Sequence, residues 1–305
     1  MEPADETHPA EAHEQRSRVD RARLWMAAVQ EQGRRASTRA QDERSRHASV
    51  DTVFEMVDLD GEVAGGIIAG ALAFRLFIWL LPFALVAVAG LGIAASAEGE
   101  SPQKAAADVG LLGLVSQSVA SSAKAPTRWY ALVVGIPVLL YVTRSVLRVL
   151  IGAHRLVWRD LRSAAPKPTL TSIAKLLALM LLMFVAFGLS IAVGKHTAGF
   201  VGVIVTLVMT LPYMGIWLLV SMRLPHRGAS WAALVPGALA FGLGVETLHV
   251  VSEFFVAPYS LAKQGTYGVL GLASVLLLGL FFFSRLIVGA AVLNATLWER
   301  RQRVR

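Results

Sequence analysis

Apolar residues in this chain run on without alternation, far past what a soluble strand or helix needs. The stretch "GGIIAGALAFRLFIWLLPFALVAVAGLGIAA", residues 65–95, contains a single charge, Arg75. A helix rises about 1.5 Å per residue and a hydrocarbon core is about 30 Å thick, so about 20 apolar residues are enough to cross it. Six segments reach that length, at roughly 63–94, 129–151, 170–193, 200–221, 231–257 and 267–297. The pattern predicts an all-α, polytopic membrane helical bundle of six spans. Two shorter stretches are amphipathic. In "SVDTVFEMVDLDGE", Val50, Val53, Phe54 and Val57 recur at helical spacing opposite Asp51, Glu55 and Asp58, as in a helix lying on a membrane surface. In "ADVGLLGLVSQSVASSA", Val109, Leu112, Val115 and Val119 share a stripe that fits a short helix over the outer mouth.

Charge orients the spans. The connection 144–168, the turn holding Arg223 and Arg227, and the tail "ERRQRVR" are basic and belong on the cytoplasmic side. The opposite connections carry Lys104, Lys124 and Arg128 diluted by Glu98, Glu100 and Asp108, then Lys195, then Lys263. Both termini are therefore expected in the cytoplasm. The connection "VGKHTAGF" is read as a tight outer hairpin, because a re-entrant element there would place the arginines of the tail outside.

Composition separates the first 60 residues from the rest. They hold nine Arg and 13 acidic residues, whereas the whole chain carries a net +8. Three regions are expected: a charged cytoplasmic region 1–60 ending in the amphipathic helix, a transmembrane domain 61–298 and a basic tail 299–305. Residues 1–60 lack the short apolar core and cleavage site of a signal peptide, so the first span is expected to direct insertion. The segment 16–46 reads as a solvated or lipid-grazing helix. Nucleic-acid binding is not expected, since only Trp25 could stack on a base. With 55% hydrophobic and 16% charged residues and a mean hydropathy of +0.57, a soluble enzyme is excluded. The absence of cysteine removes disulfides, thiolate metal sites and cysteine nucleophiles.

Candidate chemistry lies where lipid should be. Arg75 falls about 18 Å into the first span and Glu246 about 21 Å into the fifth, where a charge costs about 2.5 kcal/mol or more without a partner. The expected pairing is Arg75 with Glu246, with His249 as neighbour. His249 and Glu253 follow Glu246 at i+3 and i+7 on one face. Arg144, Arg148 and Arg285 occupy the inner half of spans two and six. Pro82 and Pro236 interrupt spans one and five, removing a donor from each. Three readings of the acidic stripe compete: a metal site, a proton relay, and a structural or cavity-lining network. A single helix face supplies too few ligands for a metal, and no cofactor is expected. Gly66 and Gly70 form a small-xxx-small pair, and Gly237, Gly242, Gly244, Gly268, Gly271 and Gly289 punctuate spans five and six; all of them permit close helix contact.

"AGALAFRLFIWLLPF", "RLPHRGASWAALVPGALAF" and "TYGVLGLASVLLLGLFFFSRLIVGAAVLNA" resemble the first span, the turn into span five and the last span of the YihY/BrkB family of bacterial inner-membrane proteins, once labelled ribonuclease BN-like. Many members carry Ser shortly before the first-span proline, where this chain has Trp79, and Glu before the final Asn294, where it has Val292. The resemblance implies a six-helix inner-membrane protein linked to envelope integrity and to lipid transport, with Asn294 added to the candidate cavity residues. Two functions are expected to compete: moving or organising an envelope lipid in a cavity lined by spans one, two, five and six, or a membrane scaffold. Membrane lipids are the expected partners. A second copy of the chain and a cytoplasmic protein docking on residues 1–60 stay open. A nuclease activity is not expected, because no nuclease metal cluster is recognisable.

Overall fold

A computed structural model describes residues 25, 30–31, 48–98, 125–161, 164–194, 199–252 and 257–303. Among them are seven helices and no strand: α1 Ala48–Glu62, α2 Gly65–Glu98, α3 Ala125–Val157, α4 Leu170–Gly194, α5 Gly199–Ser221, α6 Trp231–Val251 and α7 Ala257–Arg303. Helices α2 to α7 correspond to the six expected spans. Five contain stretches long and apolar enough to cross a membrane, and α5 contributes a shorter apolar stretch, Leu207–Ser221. The acidic stripe residue Glu253, the helix expected over the outer mouth, most of segment 16–46 and the connection after Gly194 lie outside the described residues.

The largest departure in length is α7, whose 47 residues run well past the expected 267–297. No proline follows Pro258, and the polar end "WERRQR" is built of good helix formers with Arg300, Arg301 and Arg303 in the last turn, where cations complement the helix dipole.

The chain divides into two compact units at Glu55 and Met56, and Met56–Arg305 holds all six long helices. Within that unit each helix packs on its neighbours in sequence, α2 on α3 through to α6 on α7, and α7 returns to pack on α2. The result is a closed ring of six helices. Antiparallel neighbours with short connections favour such an up-and-down arrangement. One buried cluster runs through α2 to α7 and includes Leu72, Trp79, Val146, Tyr213, Trp217 and Phe241. A second, at the basic end, joins Leu59, Trp158, Leu234, Val288 and Val292.

Close crossings rest on some of the expected glycines and not on others. Nothing lies within 4 Å of a Cβ built at Gly66 or Gly70. Gly237 instead lets α6 approach the Ala290 carbonyl of α7, and a Cβ at Gly242 would come 2.9 Å from the Thr210 carbonyl of α5. The amphipathic α1 forms as expected. Val53 and Val57 are exposed, while Met56 and Leu59 pack inward.

Salt links tie the basic end. Arg159 pairs with Glu62 and also reaches Glu299, which Arg227 approaches at 4.0 Å. The Arg227 guanidinium lies 5.3 Å from the centre of the Trp298 ring.

Candidate functional site

The polar residues of the spans fall into three groups. The first is structural. Arg285 donates from both terminal nitrogens to Asp60, at 3.0 and 3.1 Å, a fork geometry that matches a carboxylate. The α1–α2 turn lays Asp60 against Gly65, where a Cβ would collide with the carboxylate. Asn294 is buried on α7 and faces the proline break in α6. Its Oδ1 accepts the Gly237 N–H at 2.7 Å, and its Nδ2 donates to the Leu234 carbonyl at 3.1 Å. Both partners flank Pro236, which has no N–H to give. Arg285 and Asn294 thus hold helices together at the basic end.

The second group is a buried polar cluster between α4, α5 and α6. Glu246 is 4% exposed, and its Oε1 accepts a hydrogen bond from the Ser190 hydroxyl at 3.3 Å. Tyr213 is fully buried on α5, and its hydroxyl makes no hydrogen bond among the described residues. His249 lies one turn from Glu246 and packs edge-on against Phe187 at 5.1 Å. Among the described residues no three His, Asp or Glu side chains come together, so Glu246 and His249 alone do not make a metal site.

The expected pairing of Arg75 with Glu246 does not form. In the ring α7 stands between α2 and α6, and those two helices are not among its main packing pairs. Arg75 is exposed on α2 while Glu246 is buried against α4 and α5. The cavity expected between spans one, two, five and six is therefore not where the carboxylate lies.

The third group is cationic and faces outward. Helices α2 and α3 are in antiparallel register through Glu62 with Arg159, Trp79 with Thr143, and Val86 with Gly135. That register puts Arg75 level with Val146 and Leu147, between Arg144 and Arg148. All three arginines are exposed. Among the described residues none of them has an ion pair or hydrogen bond to the protein. At about 1.5 Å per residue, Arg148 and Arg144 lie about 14 and 20 Å from the end of α3 at Val157.

The sequence profile of the family described as Virulence factor BrkB matches residues 64–305. The chain belongs to the BrkB family. Neither the comparison with curated proteins nor that with solved structures yields a match. The family match spans the whole helix ring of this BrkB-family chain.

The two family departures have structural explanations. Trp79, standing where many BrkB-family members carry Ser, donates its indole N–H to the Thr143 hydroxyl at 2.9 Å and stacks on Phe83 at 4.8 Å. Thr143 in turn donates to the Leu139 carbonyl at 2.7 Å. Pro82 is buried on the same helix, one turn on. Val292, in place of Glu, is buried in the cluster at the basic end two residues before Asn294. Sequence reasoning missed Ser190, Tyr213 and Thr143. Each is a lone hydroxyl in an apolar run, a signal that marks a buried partner only once the facing helix is known.

Proposed function

We propose that this is a multi-pass protein of the bacterial inner membrane that moves or organises a lipid or lipid-like amphiphile. Residues 1–60 and the tail 299–305 lie in the cytoplasm, in keeping with the basic connections, and the protein is not an enzyme. The observation that carries the reading is the trio Arg75, Arg144 and Arg148, exposed at mid-span depth with no partner among the described residues. A charge there costs about 2.5 kcal/mol or more unless it is met by an anion or water. A protein that served only as an anchor gains nothing from three such groups, whereas one that handles headgroups needs them. The test is reconstitution of the full chain in liposomes with labelled anionic and zwitterionic lipids. Faster transbilayer movement than in protein-free vesicles is expected, and unchanged movement of every lipid overturns the movement reading.

A second reading, a scaffold that recruits a cytoplasmic partner through residues 1–60, is favoured by the compositional change near residue 61 and by the division between units at Glu55 and Met56. Deleting residues 1–45 separates the two. Envelope phenotypes that survive the deletion overturn the scaffold, while a lipid-handling ring tolerates the loss.

A further inference from the structure

Five polar side chains and one proline share a face of α3 with heptad spacing. Tyr130, Pro137, Tyr141, Arg144, Arg148 and Arg155 follow one another at intervals of 7, 4, 3, 4 and 7 residues. At about 3.6 residues per turn these intervals keep all six within one narrow stripe. The opposite face, with Leu139, Val142, Val146, Leu150 and Val157, is buried in the ring. The stripe therefore looks outward: Tyr130 and Tyr141 are 73% and 72% exposed, and Arg144 and Arg148 are exposed between Tyr141 and the basic end. Arg155 is part-buried where the helix leaves the apolar zone, its Nε donating to the Asp160 carbonyl at 3.0 Å. Apolar Trp129, Val133 and Val134 flank the hydroxyl half.

Three features narrow what can cover this stripe. No carboxylate of the described chain reaches Arg144 or Arg148, so their counter-charge comes from outside it. Heptad spacing could suit a helix from a second copy, but a twofold contact would set arginine against arginine, and like charges across an interface are unfavourable. The guanidinium fork matches a phosphate bidentately and is weakly hydrated, which suits it to a buried phosphate. The cations occupy only the half nearer Val157, with the hydroxyls of Tyr141 and Tyr130 beyond them.

We propose that the stripe Arg155, Arg148, Arg144 on α3 binds the phosphate of an anionic phospholipid drawn from the leaflet at the basic end toward mid-membrane, with the acyl chains lying along the apolar flanks. This rests on the lipid-handling reading above and names its lipid class. The steps between successive arginines are about 10 and 6 Å along the helix, and the Tyr141 hydroxyl is the next donor past Arg144.

The test reads occupancy rather than movement. The full chain is placed in nanodiscs of equal phosphatidylglycerol and phosphatidylcholine, re-extracted in mild detergent, and its retained lipid counted by native mass spectrometry. Phosphatidylglycerol is expected to be enriched. Arg144→Gln or Arg148→Gln alone lowers the enrichment roughly fivefold and the pair roughly 25-fold, from about 1 kcal/mol per basic contact. The Arg144→Lys, Arg148→Lys pair, which keeps the charge but not the fork, retains only part of it, more than the glutamine pair, and Arg301→Gln with Arg303→Gln in the tail leaves it unchanged. Unchanged enrichment in the Arg144→Gln, Arg148→Gln protein, or equal loss in the tail variant, overturns the proposal. Should the glutamine variants fail to fold, a photoreactive phosphatidylglycerol is crosslinked to the unaltered protein. Adducts are expected on residues 141–155, and adducts confined elsewhere overturn the site. Enrichment without transbilayer movement counts against lipid movement while leaving the site in place, and movement without enrichment removes the site alone.

Discussion

Asn294 makes the sharpest energetic prediction, because one side chain meets two backbone groups on either side of Pro236. Asn294→Ala removes the 2.7 Å bond from the Gly237 N–H and the 3.1 Å bond to the Leu234 carbonyl. Hydrogen bonds between membrane helices average about 0.6 kcal/mol and reach about 1.7, so two together give a loss of about 1–3 kcal/mol. Pro236→Ala returns an N–H to α6 and lets the turn close on the Ala232 carbonyl. In that background the backbone near Gly237 regains intrahelical partners, and Asn294→Ala should cost less by about 1 kcal/mol. Asn294→Asp keeps the acceptor for Gly237 but sets a carboxylate against the Leu234 carbonyl, and is expected to be worse than Asn294→Ala. The assay is equilibrium denaturation in mixed detergent micelles, with all four corners of the Asn294/Pro236 cycle measured. Strict additivity refutes the reasoning, since Asn294 would then contribute packing alone.

Three further outcomes are expected. Asp60→Ala and Arg285→Ala each destabilise by about 1–2 kcal/mol, because a bidentate, part-buried pair is worth more than an exposed one; if the exchanged pair Asp60→Arg, Arg285→Asp recovers none of that loss, the fork does not hold α1 to α7. Gly237→Ala puts a methyl into the Ala290 carbonyl and Asn294 and costs about 1–3 kcal/mol, whereas Gly66→Ala, with nothing within 4 Å, leaves stability unchanged or slightly raised; equal effects in a denaturation series would place the α6–α7 crossing elsewhere. Glu246→Gln keeps an acceptor for Ser190 and is expected near wild-type stability, while Glu246→Leu strands the Ser190 hydroxyl and costs about 1–2 kcal/mol. Equal losses for both would show that the carboxylate's charge, not its hydrogen bond, matters to the fold.

What the sequence determined by itself is one-dimensional. Uninterrupted apolar length defines a span whatever packs beside it, because a bilayer has a set thickness and an unpaired backbone group in hydrocarbon is costly. The six spans were legible for that reason, and so was membership of the BrkB family, whose motifs are local runs. Position along a helix was legible as well, since rise per residue is constant. Which helix faces which was not. Only the ring order, with α7 between α2 and α6, decides that Arg75 looks outward and that Glu246 meets Ser190 instead. The glycines show the same limit: Gly66, Gly70, Gly237 and Gly242 all read alike as contact positions, yet only the last two mark close crossings. Spacing along a helix says which residues share a face. The direction of that face depends on the neighbours against which the largest apolar area can be packed, and those are set by the whole bundle at once.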